Sequence, residues 1–147
     1  MGSQESGEVQ YLFIHSPITR QISQIVELYR AQGWWQRRDD EKADLVPRLI
    51  AGSHCFAIAA DGEDLVGMGR AISDGVSDAY IQDLTVRQDR RNQGIGSRLL
   101  QTLLVRLHSD GILWIGLIAE PGSDIFYRKA GFREISGSTP FLMIKDP

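Results

Sequence analysis

The spacing of apolar positions changes period several times along the chain. From Val9 to His15 the run VQYLFIH is rich in aromatic and branched residues and predicts a strand. Ser16 after it suits a helix cap, with Pro17 at the first helical position. Ile18, Ile22, Ile25, Val26 and Tyr29 then share one helical face within ITRQISQIVELYRAQ, which Gly33 closes. A polar loop with two adjacent tryptophans, WWQRRDDEK, leads to a weaker helix within residues 39–52, limited by Pro47 and ended by Gly52. HCFAIAA and LVGMGRAIS, separated by DGED, predict an antiparallel hairpin, and DGVSD turns the chain into a further strand, AYIQDLTV. Leucines at 99, 100, 103, 104 and 107 mark an amphipathic helix, IGSRLLQTLLVRLHSD, that Gly111 ends. The rest predicts a buried strand, ILWIGLIA, a short helix, GSDIFYRKA, closed by Gly131, and two final strands, FREIS and FLMIK. The order β, α, α, β, β, β, α, β, α, β, β describes an α+β, three-layer architecture: a mixed sheet with helices on both faces.

Length and composition narrow what such a fold could do. The 147 residues make one domain, expected over residues 9–147, preceded at 1–8 by a polar, glycine-bearing stretch that reads as a disordered leader or cloning remnant. A net charge of -3 provides no general attraction to nucleic acid or anionic lipid, so a phosphate-rich ligand has to be held by local geometry. The short basic stretch RQDRR is too small for duplex nucleic acid. No apolar run approaches the roughly 20 residues of a membrane helix, and MGSQESGEVQ lacks the basic and apolar regions of a signal peptide, which makes the cytoplasm the expected location. Cys55 is a single cysteine, expected as a small buried hydrophobe, and His15, His54 and His108 stand apart, so no structural metal is expected.

One stretch calls for a functional explanation. Directly after AYIQDLTV, the sequence RRNQGIG places Gly94 and Gly96 where a helix begins. A helix N-terminus carries unpaired N–H groups and the positive end of the helix dipole, so it holds an anion without any net basic charge on the protein. Glycines let the backbone come close to that anion, and Arg90 and Arg91 stand at the rim. A dinucleotide fingerprint would need three glycines after the first strand, and a nucleoside-triphosphate loop would need Gly-Lys-Ser/Thr; neither is present. The stretch reads as a cradle for a pyrophosphate.

Arg-x-x-Gly-x-Gly after a strand ending DLTV, a leucine-rich helix, an apolar strand and then FYRKAGF together resemble the GNAT superfamily of acyl-coenzyme-A-dependent N-acyltransferases. The likeness runs from about Val9 to Lys145 and is strongest at residues 82–101 and 126–132. It implies a mostly antiparallel sheet of about six or seven strands, acetyl-coenzyme A as co-substrate and an amine as acceptor, without metal. Carried onto this chain, the resemblance places the pyrophosphate on the segment Arg91, Asn92, Gln93, Gly94, Ile95, Gly96 and Ser97. It places the pantetheine arm along Leu84, Thr85 and Val86. Tyr127 matches the family tyrosine near the cofactor sulfur, assigned as general acid, and a phenol with a pKa of about 10 keeps its proton at neutral pH.

The general base and the acceptor are less legible. Gln82 stands where some relatives carry a glutamate, which leaves Asp83, Glu120 or an ordered water chain as candidates. Strand alternation would send Asp83 to the face opposite Gln82, Leu84 and Val86. Trp34 and Trp35 are candidates for walling the acceptor site, one of them anchoring its loop in the core, with Arg70, Tyr80 and Gln82 lining the same pocket. The resemblance makes a small-molecule primary amine the expected acceptor and a homodimer the expected assembly. A protein N-acetyltransferase and a non-catalytic acyl-coenzyme A sensor remain the alternatives.

Overall fold

The computed structural model describes residues 7–36 and 44–145. Residues 1–6 of the leader expected at 1–8, and residues 39–43 at the start of the second predicted helix, lie outside the described residues. The chain divides into two compact units, Met1–Leu117 and Ile118–Pro147.

The first unit holds β1 (Gln10–Phe13), α1 (Thr19–Ala31), α2 (Leu45–Gly52), β2 (Cys55–Asp61), β3 (Asp64–Ser73), β4 (Asp78–Val86), α3 (Ile95–Ser109) and β5 (Trp114–Gly116). The sheet order is β1-β2-β3-β4-β5; the first four strands pair antiparallel, and β5 runs parallel to β4 from Asp78↔Trp114 to Tyr80↔Gly116. The β2–β3 hairpin turns between Asp61 and Asp64, with Gly62 in the left-handed region at φ 60°.

Alternation along β2 and β3 divides the core between two faces. Phe56, Ile58, Leu65 and Met68 pack with Ile25, Leu28, Tyr29, Val46 and Ile50 of α1 and α2. On the other face α3 buries Ile95, Leu99, Leu100, Leu103 and Leu107. Close packing there depends on glycine. A Cβ on Gly67 would lie 2.8 Å from Leu99 Cδ1, and one on Gly69 would lie 2.8 Å from Leu84 Cδ1 and 3.1 Å from Leu103 Cδ1. Leu103 is wholly buried at this contact. Leu103→Ala is therefore expected to cost about 2–5 kcal/mol of stability, read as a lowered urea midpoint at unchanged m-value.

Helix α1 starts later than Ser16-Pro17 predicts. Ile18 is its N-cap residue, and the Ile18 N–H donates to Gln21 Oε1 at 3.0 Å, so the first turn is closed by Gln21 rather than by Ser16. Gly33 ends it as expected, at φ 73° with its N–H donating to the Arg30 carbonyl. Pro47 is accommodated because it falls in the first turn of α2, where its missing N–H has no intrahelical acceptor.

The strand count needs correction. Among the described residues the sheet has five strands rather than six or seven. ILWIGLIA contributes only Trp114–Gly116, and neither FREIS nor FLMIK forms a ladder. Their apolar content meets the strand pattern, but a strand also needs a partner backbone. The turn at Ser136-Gly137 separates the two segments without pairing them, and Phe141, Leu142, Met143 and Ile144 are 74–96% exposed. The second unit is built instead on α4 (Asp124–Lys129).

Candidate active site

The chain leaves β4 at Val86, makes a short 3-10 turn over Gln88–Arg90 and enters α3 through Gly94. Asn92 and Gly94 are left-handed, at φ 61° and 80°, which folds residues 91–94 into an exposed arch in front of the helix. Gly94 is the N-cap residue, and no side chain caps α3. The Arg98 N–H is bonded to the Gly94 carbonyl at 3.1 Å, so the amides of Ile95, Gly96 and Ser97 precede the helical ladder and have no intrahelical acceptor. Ile95 is buried and fixes the first turn to the core. A Cβ built on Gly94 meets no atom beyond its chain neighbours within 4 Å, so it borders open space. This arrangement fits a phosphate or pyrophosphate.

The two rim arginines differ. Arg91 stays exposed, with its Nε donating to the Val86 carbonyl at 3.1 Å. Arg90 instead turns away to Asp61 at 2.8 Å, both side chains about 20% exposed, and to Gln93 at 3.1 Å. It ties the arch to the β2–β3 hairpin.

Upstream of the arch, β4 departs from simple alternation. Met68 pairs with Thr85 and Arg70 with Gln82, so Gly69 alone opposes both Asp83 and Leu84. This two-against-one bulge is completed by Asp83 at φ 58°. Its effect corrects the expected alternation: Leu84 goes to the α3 face against Leu103, whereas Asp83 joins Gln82 on the α1 face. There Asp83 Oδ2 accepts from Arg70 Nε at 2.6 Å and from the Tyr29 hydroxyl at 2.7 Å. The same guanidinium donates to Gln82 Oε1 at 3.3 Å and to Ser53 Oγ at 3.4 Å. Arg70 and Asp83 side chains are only 15% and 21% exposed. Burial, and then the charge of Asp83, raises the Tyr29 phenol far above the ordinary tyrosine range, so it remains a donor.

Tyr29, which the pattern of apolar positions absorbed into the core, brings its hydroxyl to Asp83. The available signal was its chemistry, since a tyrosine on a buried helical face needs a partner for its hydroxyl. Trp34 and Trp35 gather on the same ring: Trp35 stacks on Tyr29 at 3.9 Å and 4°, and Trp34 meets it edge-on at 6.2 Å. Both tryptophans are half-buried against the α1 core, so both anchor the loop. Arg70, Gln82 and Tyr80 share one face of the sheet. Tyr80 makes an edge contact with Trp114 at 5.3 Å, and the two residues are 47% and 45% exposed.

In the second unit Tyr127 lies on α4 between Phe126 and Phe132, at ring distances of 5.0 and 5.9 Å. Partial burial, and secondarily the negative charge of Glu120, raises its phenol above the ordinary value of 10. It is thus fully protonated at neutral pH. Glu120 is exposed, and its carbonyl accepts from the N–H and hydroxyl of Ser123 at the start of α4. Among the described residues no cluster of His, Cys, Asp or Glu could hold a metal, and no helix is long and apolar enough to cross a membrane. Cys55 is buried, as expected, with its thiol pushed up to about 11 by burial.

A strand with a mid-strand bulge thus runs into an open amide arch and a leucine-rich helix, an arrangement suited to a phosphate-bearing ligand. Residues 52–134, more than half of the chain, match the family model of the acetyltransferase (GNAT) domain, and the chain belongs to that family. It is 40% identical over 68 residues to a Porphyra purpurea protein named uncharacterized N-acetyltransferase ycf52, covering 46% of this chain and 39% of that protein. It is also 36% identical over 67 residues to serotonin N-acetyltransferase 2 of Oryza sativa, covering 46% and 34%. The matches thus span well under half the length of these relatives. A GNAT family acetyltransferase from Streptococcus pneumoniae shares the fold at a TM-score of 0.75 and 24% identity, covering 95% of this chain and 100% of that one. An aminoglycoside acetyltransferase from an uncultured soil sample does so at 0.76 and 18%, covering 93% and 97%.

Proposed function

We propose that the chain is an N-acetyltransferase that moves the acetyl group of acetyl-coenzyme A directly to a primary amine of a small molecule. The observation that carries this reading is the uncapped start of α3 behind the left-handed Gly94. The exposed arch of residues 91–97 would hold the pyrophosphate, and Arg91 would add charge at its edge. Leu84, Thr85 and Val86 would align the pantetheine arm, with the backbone of this segment facing the thioester carbonyl. Acetyl-coenzyme A supplies the activated thioester; transfer forms an amide C–N bond, breaks the C–S bond, releases a thiol, and would pass the proton lost by the amine to Glu120 or to an ordered water chain. Tyr127, held neutral by its surroundings, is the donor proposed for the departing sulfur. Asp83 is given no proton transfer in this proposal, since its Oδ2 accepts from both Arg70 and Tyr29.

Two considerations favour a small amine. Two similar proteins carry names that specify such acceptors, serotonin in one and aminoglycosides in the other. The exposed Tyr80–Trp114 pair also suits a flat or cationic group on the acceptor. The test is thiol release from acetyl-coenzyme A with a panel containing serotonin, an aminoglycoside, a diamine, free amino acids and a lysine peptide. Release with one class of free amine is expected. Release with the peptide alone would make the protein acetyltransferase the better reading. Binding of acetyl-coenzyme A with no release from any amine, peptide included, would favour the sensor.

A further inference from the structure

The bulge in β4 places a non-glycine residue, Asp83, in the left-handed region in the middle of a strand, with its side chain clamped from two elements. Such strain persists only where the surroundings hold it, and bulges commonly re-aim backbone groups near functional sites. Two donors converge on a single oxygen, Asp83 Oδ2: the guanidinium from β3 and the phenol from α1. Tyr29 is in turn fixed by Trp35 stacked on its ring, and Arg70 by Gln82 and Ser53. Each donor therefore has a support of its own, and the clamp joins α1, β3 and β4 across one face of the sheet.

The clamp has a directional consequence. The residues just after it, Leu84 to Val86, have their faces set by the two-against-one register. Without the bulge, each would turn to the opposite side. We infer that Asp83 is a positioning residue, whose carboxylate, held by Tyr29 and Arg70, locks the bulge and so orients the Leu84–Val86 backbone that receives the acyl donor. This inference rests on the acetyl-coenzyme A reading for the last step only; the locking of the bulge stands on the geometry alone.

Three variants test it: Asp83→Asn, Asp83→Gly and Tyr29→Phe. Asparagine tolerates the left-handed conformation and keeps an oxygen acceptor, whereas glycine accepts the conformation but removes the clamp, so neither imposes new backbone strain. Amide shifts of Leu84, Thr85 and Val86 in the ligand-free protein are expected to move in Asp83→Gly and Tyr29→Phe and to hold in Asp83→Asn. In acetyl transfer, Asp83→Gly should weaken acetyl-coenzyme A binding and lower kcat, each by about tenfold, because the reacting groups are misplaced. Asp83→Asn should remain within about threefold of wild type for both.

A general base would instead make Asp83→Asn as damaging as Asp83→Gly, in kcat alone and with the acid limb of the pH profile lost, which would overturn the inference. So would a lowered melting temperature with unmoved amides and unchanged kinetic constants, the result of a structural role only. If the wild-type protein failed to bind acetyl-coenzyme A, the functional reading would fall, and the amide shifts would still decide whether Asp83 locks the bulge.

Discussion

Gly94→Glu is expected to abolish acetyl-coenzyme A binding while leaving a folded protein. Position 94 has φ 80°, and a Cβ there borders open space at the start of α3. A glutamate there would occupy the position proposed for the pyrophosphate and present a negative charge to it. Two like charges about 4 Å apart cost about 4 kcal/mol at an effective dielectric of 20, so the expected loss of affinity is roughly a thousandfold. The left-handed backbone adds about 1–2 kcal/mol of strain for any non-glycine residue. Gly94→Ala is the control, since it carries that strain without the bulk or charge. Calorimetry on both variants, with circular dichroism to confirm folding, separates the two effects. Normal binding by a folded Gly94→Glu protein would remove the cradle from the account.

Tyr127→Phe should lower kcat by at least about tenfold, a conservative floor beneath the roughly hundredfold or more that a general acid typically contributes, with acetyl-coenzyme A affinity nearly unchanged. The ring is retained, so its contacts with Phe126 and Phe132 survive and only the proton is lost. The raised phenol also predicts a pH dependence. A donor whose pKa is shifted upward holds its proton throughout the neutral range and gives it up only above the ordinary value of 10. Wild-type activity should therefore have an alkaline limb beyond pH 10, and Tyr127→Phe should lack it. A kcat that is insensitive to the substitution would exclude Tyr127 from the chemistry.

Much of the first unit was legible because its signals are local. Asp61-Gly62 announced a hairpin turn, the leucines of 99–107 announced the face of α3, and the paired glycines at 94 and 96 announced an open helix start. Each depends on a few neighbouring residues and on one period. The bulge at Asp83 was hidden for the opposite reason. Alternation has no internal mark for a position where two residues face one, and the only trace was Gly69 on the neighbouring strand, a glycine inside an apolar run. The bonds of Arg70 and Tyr29 to Asp83 depend on that bulge and were illegible with it. Ser16-Pro17 misled because a favourable cap does not compel a helix to begin there, and Gln21 supplied the competing bond. FREIS and FLMIK misled because composition specifies readiness to pair, whereas pairing depends on a second backbone.

The central claim is that residues 91–97 of this chain receive the pyrophosphate of acetyl-coenzyme A. Titration of the isotopically labelled protein with acetyl-coenzyme A, followed by backbone amide shifts, tests it most directly. The account predicts saturable changes that are largest from Asn92 to Ser97 and extend along Leu84–Val86. No saturable change, or changes confined to residues remote from both segments, would contradict it.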